Sequence, residues 1–279
     1  MIKNIFKLIR YKDWVKNIII FFPFIFNESN QNFFILYDLF FIFLSFSIIC
    51  SLIYIFNDLI DIESDKRHSY KKKIKPLANG SISKRIAFAL LFFLLILVII
   101  IVFYFKLFFI HFFAYAILLV FYNLIFKKII ILDVFIISLG YLIRLDLGSN
   151  AIDVNTSINL LACIYFLVSF ILFIKRYVEF SNQEKTRSSL RFYNVNFLNF
   201  LIITSGLAFA ISCVYFIIFQ KIYLIITLPF LIFNLYKYYK ISIYNNLGEF
   251  PIDVVLKNRI LLINTFIILF LIIIVYFVF

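Results

Sequence analysis

The sequence predicts an all-α integral membrane protein in which nine helices cross the bilayer. Hydrophobic residues make up 65% of its 279 residues and charged residues only 15%, whereas soluble domains are roughly half apolar and about one quarter charged. A spanning helix needs about 20 apolar residues, which leaves room for at most about nine to eleven of them. We therefore expect a single transmembrane domain over residues 1–279, in contact with the lipid bilayer and without a soluble domain of ordinary size.

Apolar runs bounded by charges or turn residues account for the nine helices. They cover residues 15–26, 33–56, 86–105, 107–126, 129–147, 158–174, 195–218, 222–235 and 254–279. The first run is short, and a run of that length is also compatible with a re-entrant segment or the apolar core of a signal peptide. Hydropathy alone therefore does not establish that this run crosses the bilayer, and the distribution of positive charge provides the further evidence.

Positive charge indicates the orientation of the chain. If all nine runs cross and the N-terminus is cytoplasmic, 24 of the 27 Lys and Arg residues fall on the cytoplasmic side, in line with the positive-inside bias. If the first run did not cross, the basic N-terminus and the basic segment 66–85 would lie on opposite sides. We therefore expect nine crossings and a cytoplasmic N-terminus. The net charge of +13 then reflects topology, and no nucleic-acid partner is expected.

Acidic residues with helical spacing follow the second apolar run. Asn57, Asp61 and Asp65 recur every four residues, and Asp58 follows Asn57. At about 100° per residue these four side chains share one helix face, while Glu63 points elsewhere. Grouped carboxylates repel one another unless a cation joins them, and Mg²⁺ binds carboxylate and substrate phosphate oxygens. The four are candidate Mg²⁺ ligands; the alternative is a solvated acidic helix end balanced by the lysines that follow.

A basic segment comes next and ends in a turn shaped by Pro76 and Gly80. Its candidate substrate ligands are Arg67, Lys73 and Lys75. Cationic donors facing a metal are what a diphosphate group requires. Any one of these cations could instead be part of the positive charge that faces the cytoplasm in membrane proteins, or contact anionic lipid head groups.

The order Asn-Asp-x-x-Asp-x-x-x-Asp over 57–65, followed by Lys-Pro-Leu-Ala-x-Gly over 75–80, resembles the UbiA superfamily of intramembrane transferases. The resemblance implies nine helices around a central cavity and a Mg²⁺ cofactor that assists the departure of diphosphate. It implies that Asp58 and Asp61 are catalytic, and that the metal ligands are Asn57, Asp58, Asp61 and Asp65.

Most prenyltransferases of this superfamily carry a second acidic motif late in the sixth helix or in the loop after it. Here Lys175 and Arg176 stand in that region, and the nearby acids are Glu179 and Glu184. Two cations in place of two carboxylates favour direct binding of a phosphate without a metal. Lys175 and Arg176 are therefore candidate catalytic and substrate-binding residues. Glu179, one turn away, is a candidate for orienting them or binding a ribose hydroxyl.

Stretches at 10–17, 141–144, 175–179 and 248–259 are similar to the decaprenyl-phosphate phosphoribosyltransferase branch of the superfamily, although Tyr11 replaces its usual proline. This resemblance implies transfer of 5-phosphoribosyl from phosphoribosyl diphosphate (PRPP) to a polyprenyl phosphate, with release of diphosphate. It also implies a role in cell-envelope biosynthesis, an enzyme in the bacterial inner membrane and an active site that faces the cytoplasm.

Further candidate substrate-binding residues are Lys16, Asn17, Tyr122, Lys127 and Arg144. Arg144 lies inside a predicted span, where a cation should face the bundle interior and have a partner. That partner is either structural, such as Asp133, Asp146 or a helix carbonyl, or a substrate phosphate, and both remain open.

The remaining metal-binding residue types carry no predicted site. His68 and His111 have no second His or Cys at metal-ligand spacing. The three cysteines, Cys50, Cys163 and Cys213, lie in apolar stretches and lack CxxC spacing. Spacing of this kind argues against a metal centre or a disulfide framework. We expect the cysteines to pack as small hydrophobic residues.

Two other functions remain open. An aromatic prenyltransferase of the same fold would use a prenyl diphosphate donor and should carry a second acidic cluster. A transporter or flippase for a lipid-linked phosphate would use the acids as ion or proton sites and should have polar residues on both sides of the membrane. The sequence does not indicate an oligomeric state or an isoprenoid length.

Overall fold

A computed structural model describes residues 2–27, 34–67, 71–104, 108–182, 188–245 and 247–278. All regular secondary structure within these ranges is helical, in agreement with the predicted all-α class. Some predicted features lie outside the described residues, namely the span limits at 33, 105, 107 and 279 and the side chains of His68 and Glu184.

The described ranges contain thirteen α-helices and four 3₁₀ segments. The α-helices are α1 Ile2–Leu8, α2 Phe22–Ile25, α3 Ile35–Ile60, α4 Ile62–Arg67, α5 Lys71–Ile74, α6 Lys84–Tyr104, α7 Phe109–Leu124, α8 Leu132–Ala151, α9 Ile158–Ser181, α10 Val195–Phe219, α11 Leu228–Tyr244, α12 Pro251–Lys257 and α13 Arg259–Val278. The 3₁₀ segments are Tyr11–Phe21, Phe126–Lys128, Ser188–Phe192 and Ile222–Thr227.

Within the part of the chain that the structure describes, six helical stretches are long and apolar enough to cross a membrane. They are Ile35–Ile60, Lys84–Tyr104, Ile158–Ser181, Val195–Phe219, Ile222–Tyr244 and Arg259–Tyr276. Of the other predicted crossings, α7 is apolar but has only 16 residues, and α8 carries Asp133, Arg144 and Asp146 within 20 residues. The described chain therefore supports a membrane-embedded helical fold, and the number nine stays a prediction.

The helices group into two compact units, and the first comprises Met1–Phe21 and Asn32–Leu124. In this unit the 3₁₀ segment Tyr11–Phe21 packs along α3. Trp14, Asn17 and Ile20 recur every three residues, which places them above one another in a 3₁₀ helix. Asn17 and Ile20 are buried there. This spacing matches the 3₁₀ geometry with which the first apolar run begins, whereas hydropathy predicts an α-helix.

The second unit comprises Phe22–Gln31 and Ile125–Phe279, and α9 and α10 are packed together along its length. The packing is close at Gly206, where an added Cβ would lie 3.3 Å from the Phe170 ring. Where α8 packs against α9, the hydroxyls of Ser138 and Ser169 are 3.1 Å apart. Small residues at helix contacts allow backbones in membranes to approach closely.

The last two predicted crossings are each divided into two segments. The stretch 222–235 begins as the 3₁₀ segment Ile222–Thr227 and continues as α11 to Tyr244. The stretch 254–279 is interrupted at Asn258, which separates α12 from α13. The Asn258 side chain accepts a hydrogen bond from the backbone N–H of Leu261 at 3.1 Å. An asparagine that satisfies a free N–H of the first turn is a typical helix start, and the apolar run alone did not reveal it.

Candidate active site

The acidic motif lies where α3 passes into α4. Asp61 interrupts the helix with φ −88° and ψ 6°, yet its backbone N–H still donates to the Asn57 carbonyl at 2.9 Å. The Asp65 N–H in turn donates to the Asp61 carbonyl at 2.8 Å. The four-residue register therefore persists across the interruption. Asp58 and Asp65 are buried, and Asn57 and Asp61 are half-buried.

Lys75 joins the two buried carboxylates. Its Nζ contacts Asp58 Oδ1 at 2.9 Å and Asp65 Oδ2 at 2.5 Å, and the side chains of both acids are at most 6% exposed. One ammonium group thus lies between carboxylates that are seven residues apart. This contact balances negative charge that burial would otherwise make unfavourable.

Arg10 supplies a second cation to the same site. Its Nη2 donates to Asp58 Oδ1 at 2.6 Å, and its guanidinium lies 4.9 Å from the Tyr54 ring centre. Desolvation alone would lower the pKa of Arg10, but the negative charges of Asp58 and Asp13 raise it above its ordinary value. The sequence marked Arg10 only as the first residue of the stretch 10–17. No helical spacing connects it with Asp58, so its contact with the acids was missed.

Glu63 lies on the other side of α4, as its phase predicts. Its side chain is 71% exposed and pairs with Lys66 at 3.1 Å. This hydrogen bond and the Lys66 charge lower the pKa of the Glu63 carboxyl below its ordinary value. Arg67 and Lys73, two of the predicted substrate ligands, are also exposed. Of the three predicted cations, the structure brings only Lys75 into contact with the buried acids through its side chain.

The chemistry of these donors fits a magnesium ion. Within the described ranges, no group of three or more His, Cys, Asp or Glu side chains converges closely enough to share a metal. Asp58 and Asp65 do converge, since a single ammonium group reaches both. Mg²⁺ is usually bound through one or two carboxylates together with waters and substrate phosphates. The pair meets that requirement, while the site of four ligands stays a prediction.

The N-terminal candidates are held within the first unit. Lys16 pairs with Asp13 at 2.6 Å. The Asn17 side chain is 1% exposed and donates from Nδ2 to Ser47 Oγ at 2.8 Å. Asn17 therefore contributes to the contact between the 3₁₀ segment and α3. Tyr122, on α7, is also buried.

Lys175 and Arg176, adjacent in sequence, have different environments in the second unit. The Arg176 side chain is 1% exposed, and its Nε donates to Asp133 Oδ2 at 2.5 Å. Its Nη1 donates to Glu179 Oε2 at 2.6 Å. Lys175 is 27% exposed and lies 3.9 Å from Glu179 Oε1. Glu179 thus contacts both cations, as the sequence predicts. Asp133 also belongs to this group of charged side chains, although the sequence suggested it only as a partner for Arg144.

Tyr193 and Arg144 complete the polar contacts of this unit. The Tyr193 hydroxyl donates to Asp133 Oδ1 at 3.3 Å and accepts from the Ile131 N–H at 2.9 Å. Burial raises the pKa of Tyr193 well above its ordinary value. Arg144 donates to the Gly140 carbonyl at 2.6 Å and lies over the Tyr141 ring. A helix carbonyl was one of its predicted partners.

An apolar cavity of about 360 Å³ also lies within the second unit. Phe170, Phe209 and Leu231 are among its lining residues, and Asn234 and Tyr238 are among the few polar ones. Its volume is in the range of ligand pockets. Cys163 and Cys213 line the same cavity as buried free thiols, and Cys50 is buried in the first unit.

An apolar helical bundle that buries a few paired acids and cations is typical of a membrane protein that handles a charged ligand. Residues 18–249 match the sequence profile of the UbiA prenyltransferase family. Because the match covers most of the chain, the protein belongs to that family. The resemblance drawn from 57–80 is confirmed, and the protein is an integral membrane transferase of the UbiA type.

Curated relatives include two decaprenyl-phosphate phosphoribosyltransferases. The one from Mycolicibacterium smegmatis is 29% identical over 174 residues, which cover 61% of this chain and 54% of the relative. The chain therefore spans about half the length of that relative. The one from Mycobacterium tuberculosis is 25% identical over 230 residues, which cover 78% of this chain and 75% of the relative.

Solved structures support the fold. A UbiA homolog from Archaeoglobus fulgidus, determined with GPP and Mg²⁺ bound, aligns with a TM-score of 0.70 at 18% identity. The alignment covers 97% of this chain and 99% of the homolog. The shared helical architecture therefore extends over nearly the whole chain.

We predict that Asp133→Asn destabilises the protein, because it removes the fully buried one of the two carboxylates that pair with the buried Arg176 guanidinium. Breaking a buried ion pair in this way costs about 3–5 kcal/mol. The measurement is the thermal melting temperature of the detergent-purified protein. Asp153→Asn makes the same charge change at an exposed position and should leave the melting temperature near that of the wild type. Equal melting temperatures for the two variants would contradict the prediction.

Proposed function

We propose that the protein transfers a 5-phosphoribosyl group from PRPP to a polyprenyl phosphate and releases diphosphate. The observation that carries the proposal is the charge at the end of α9, where Lys175, Arg176 and Glu179 stand in the region in which most relatives of the fold carry a second acidic motif. Such a group favours a phosphate held directly by cations. The names of the curated relatives support the same activity.

Asp58 and Asp65, with Asn57 and Asp61 beside them, are the residues that would hold Mg²⁺. A bound Mg²⁺ would neutralise the charge that develops on diphosphate as it leaves. Lys75 and Arg10 would donate hydrogen bonds from their ammonium and guanidinium groups to the diphosphate oxygens. Both groups already contact the carboxylates of this site. Such charge-assisted hydrogen bonds are stronger than neutral ones.

The α9 group would hold the second phosphate. Lys175 is the more accessible of the two cations, and we propose it as the phosphate ligand, either for the ribose 5-phosphate or for the acceptor. Arg176 would act with Glu179, whose carboxylate it contacts, although its prediction as a direct phosphate ligand remains untested. The acceptor phosphate is itself anionic, so it can attack the anomeric carbon without a strong general base.

The apolar cavity of the second unit would receive the first isoprene units of the acceptor. Its lining is almost entirely hydrocarbon, and a long polyprenyl tail would continue into the surrounding lipid. We also propose nine crossings and a cytoplasmic N-terminus, because this arrangement places 24 of the 27 cations on one side. A bacterial inner-membrane location is proposed from the similarity to the relatives from Mycolicibacterium and Mycobacterium.

We expect purified protein supplied with Mg²⁺ and polyprenyl phosphate to release diphosphate from PRPP and to form phosphoribosyl lipid. The assay offers PRPP and geranyl diphosphate side by side, with 4-hydroxybenzoate as an aromatic acceptor. Turnover of the prenyl donor alone would contradict the proposal and favour the aromatic prenyltransferase. Movement of lipid phosphate across vesicles without a covalent product would favour the transporter.

We further predict that Asp58→Asn lowers turnover at least about 100-fold, the typical effect of removing one electrostatic contact to developing charge. Its fold should be retained, because Lys75 keeps Asp65 as a carboxylate partner and the Arg10 side chain is 31% exposed, so neither cation is left buried without a carboxylate or solvent. Glu63→Gln, on the exposed face of α4, should turn over at the wild-type rate. If the two variants are equally active, the α3–α4 acids are not the catalytic centre.

A further inference from the structure

A strained turn precedes α8. Ile131 has φ 65° and ψ −45°, and the Leu132 N–H donates to the Ile130 carbonyl at 2.7 Å. These angles and this bond define a γ-turn with a positive central φ, a rare and strained conformation. A β-branched residue is an outlier there. The Ile131 side chain is 40% exposed, so burial of that side chain does not explain the conformation.

The Tyr193 hydroxyl holds this turn. It accepts the Ile131 N–H at 2.9 Å and donates to Asp133 Oδ1 at 3.3 Å. Tyr193 is 4% exposed and Asp133 is fully buried. A single hydroxyl therefore fixes the backbone of the turn and the first turn of α8. Strained residues persist only where their surroundings hold them, and they cluster at functional sites.

The same contacts continue to the proposed phosphate-binding group. Asp133 Oδ2 accepts from Arg176 Nε at 2.5 Å, and Arg176 Nη1 donates to Glu179 Oε2 at 2.6 Å. The other Glu179 oxygen faces Lys175. On the opposite side of the turn, three residues before Ile130, lies Lys127. The contacts thus connect the segment that bears Lys127, a candidate substrate-binding residue, with the segment that bears Lys175, the proposed phosphate ligand.

We propose that Tyr193 and Asp133 are positioning residues that fix Lys127 and the Lys175–Glu179 group for one substrate phosphate. This inference rests on the proposed function for its substrate. Its physical basis is that misplacement of substrate-positioning groups by about 1 Å can cost about 100-fold in rate, and that weakened binding of a phosphate already held in the ground state raises KM. Tyr193 would act through the strained turn, and Asp133 through Arg176.

The test is a rescue experiment at the turn. Tyr193→Phe removes only the hydroxyl, and we expect it to raise KM for one substrate about tenfold and to lower the melting temperature by several degrees. Glycine adopts positive φ readily, so Ile131→Gly should restore most of both losses in the Tyr193→Phe background. Ile131→Ala removes the same side chain but keeps the Cβ and the strain, and it should restore neither. Tyr215→Phe, at an exposed site on α10, is the control for loss of a hydroxyl and should match the wild type.

The KM values separate positioning from general stability. A variant that is merely less folded loses kcat per total protein but keeps both KM values. Unchanged KM values in Tyr193→Phe, or equal rescue by Ile131→Ala and Ile131→Gly, would overturn the proposal. The series is run with whichever donor the wild-type protein uses. Inactivity of the wild type toward PRPP therefore counts against the proposed function, whereas absence of the glycine-specific rescue counts against the positioning role.

Discussion

Charges buried among apolar helices must be neutralised by close partners, because low-dielectric surroundings make an isolated charge unfavourable. Each unit contains one group of buried acids that meets this constraint. Asp58 and Asp65 share Lys75 in the first unit, and Asp133 shares Arg176 with Glu179 in the second. These partners also make the sites chemically useful, since a carboxylate pair that accepts an ammonium group can accept a metal, and a lysine near a carboxylate can contact a phosphate.

Hydropathy alone predicted the positions of the long apolar helices. α3, α6, α9 and α10 lie close to the predicted runs. Hydropathy did not predict the type of a helix, or a break in one, where these features depend on a few side chains. The 3₁₀ segment Tyr11–Phe21 carries residues that repeat every three positions, of which Asn17 and Ile20 are buried. The break at Asn258 coincides with one capping side chain. Neither changes the mean hydropathy of its segment.

Helical phase predicted that Glu63 points away from the other acids, and the backbone register of Asn57, Asp61 and Asp65 persists across the interruption at Asp61. The metal site shared by all four predicted ligands stays a prediction. Phase carries no information across elements, so the contact of Arg10 with Asp58 could not be derived. The sequence also treated Lys175 and Arg176 as one pair. Adjacent helix positions differ by about 100°, which buries Arg176 and leaves Lys175 partly accessible.

We propose above all that the Lys75-bridged carboxylates form the metal and diphosphate site of a phosphoribosyl transfer. The most direct measurement is an experimental structure of the protein with Mg²⁺ and PRPP. We expect a metal ion between Asp58 and Asp65, with the Lys75 ammonium moved from the carboxylates onto the diphosphate. A structure in which PRPP is bound while Lys75 still joins the two acids, with the diphosphate elsewhere, would contradict the account.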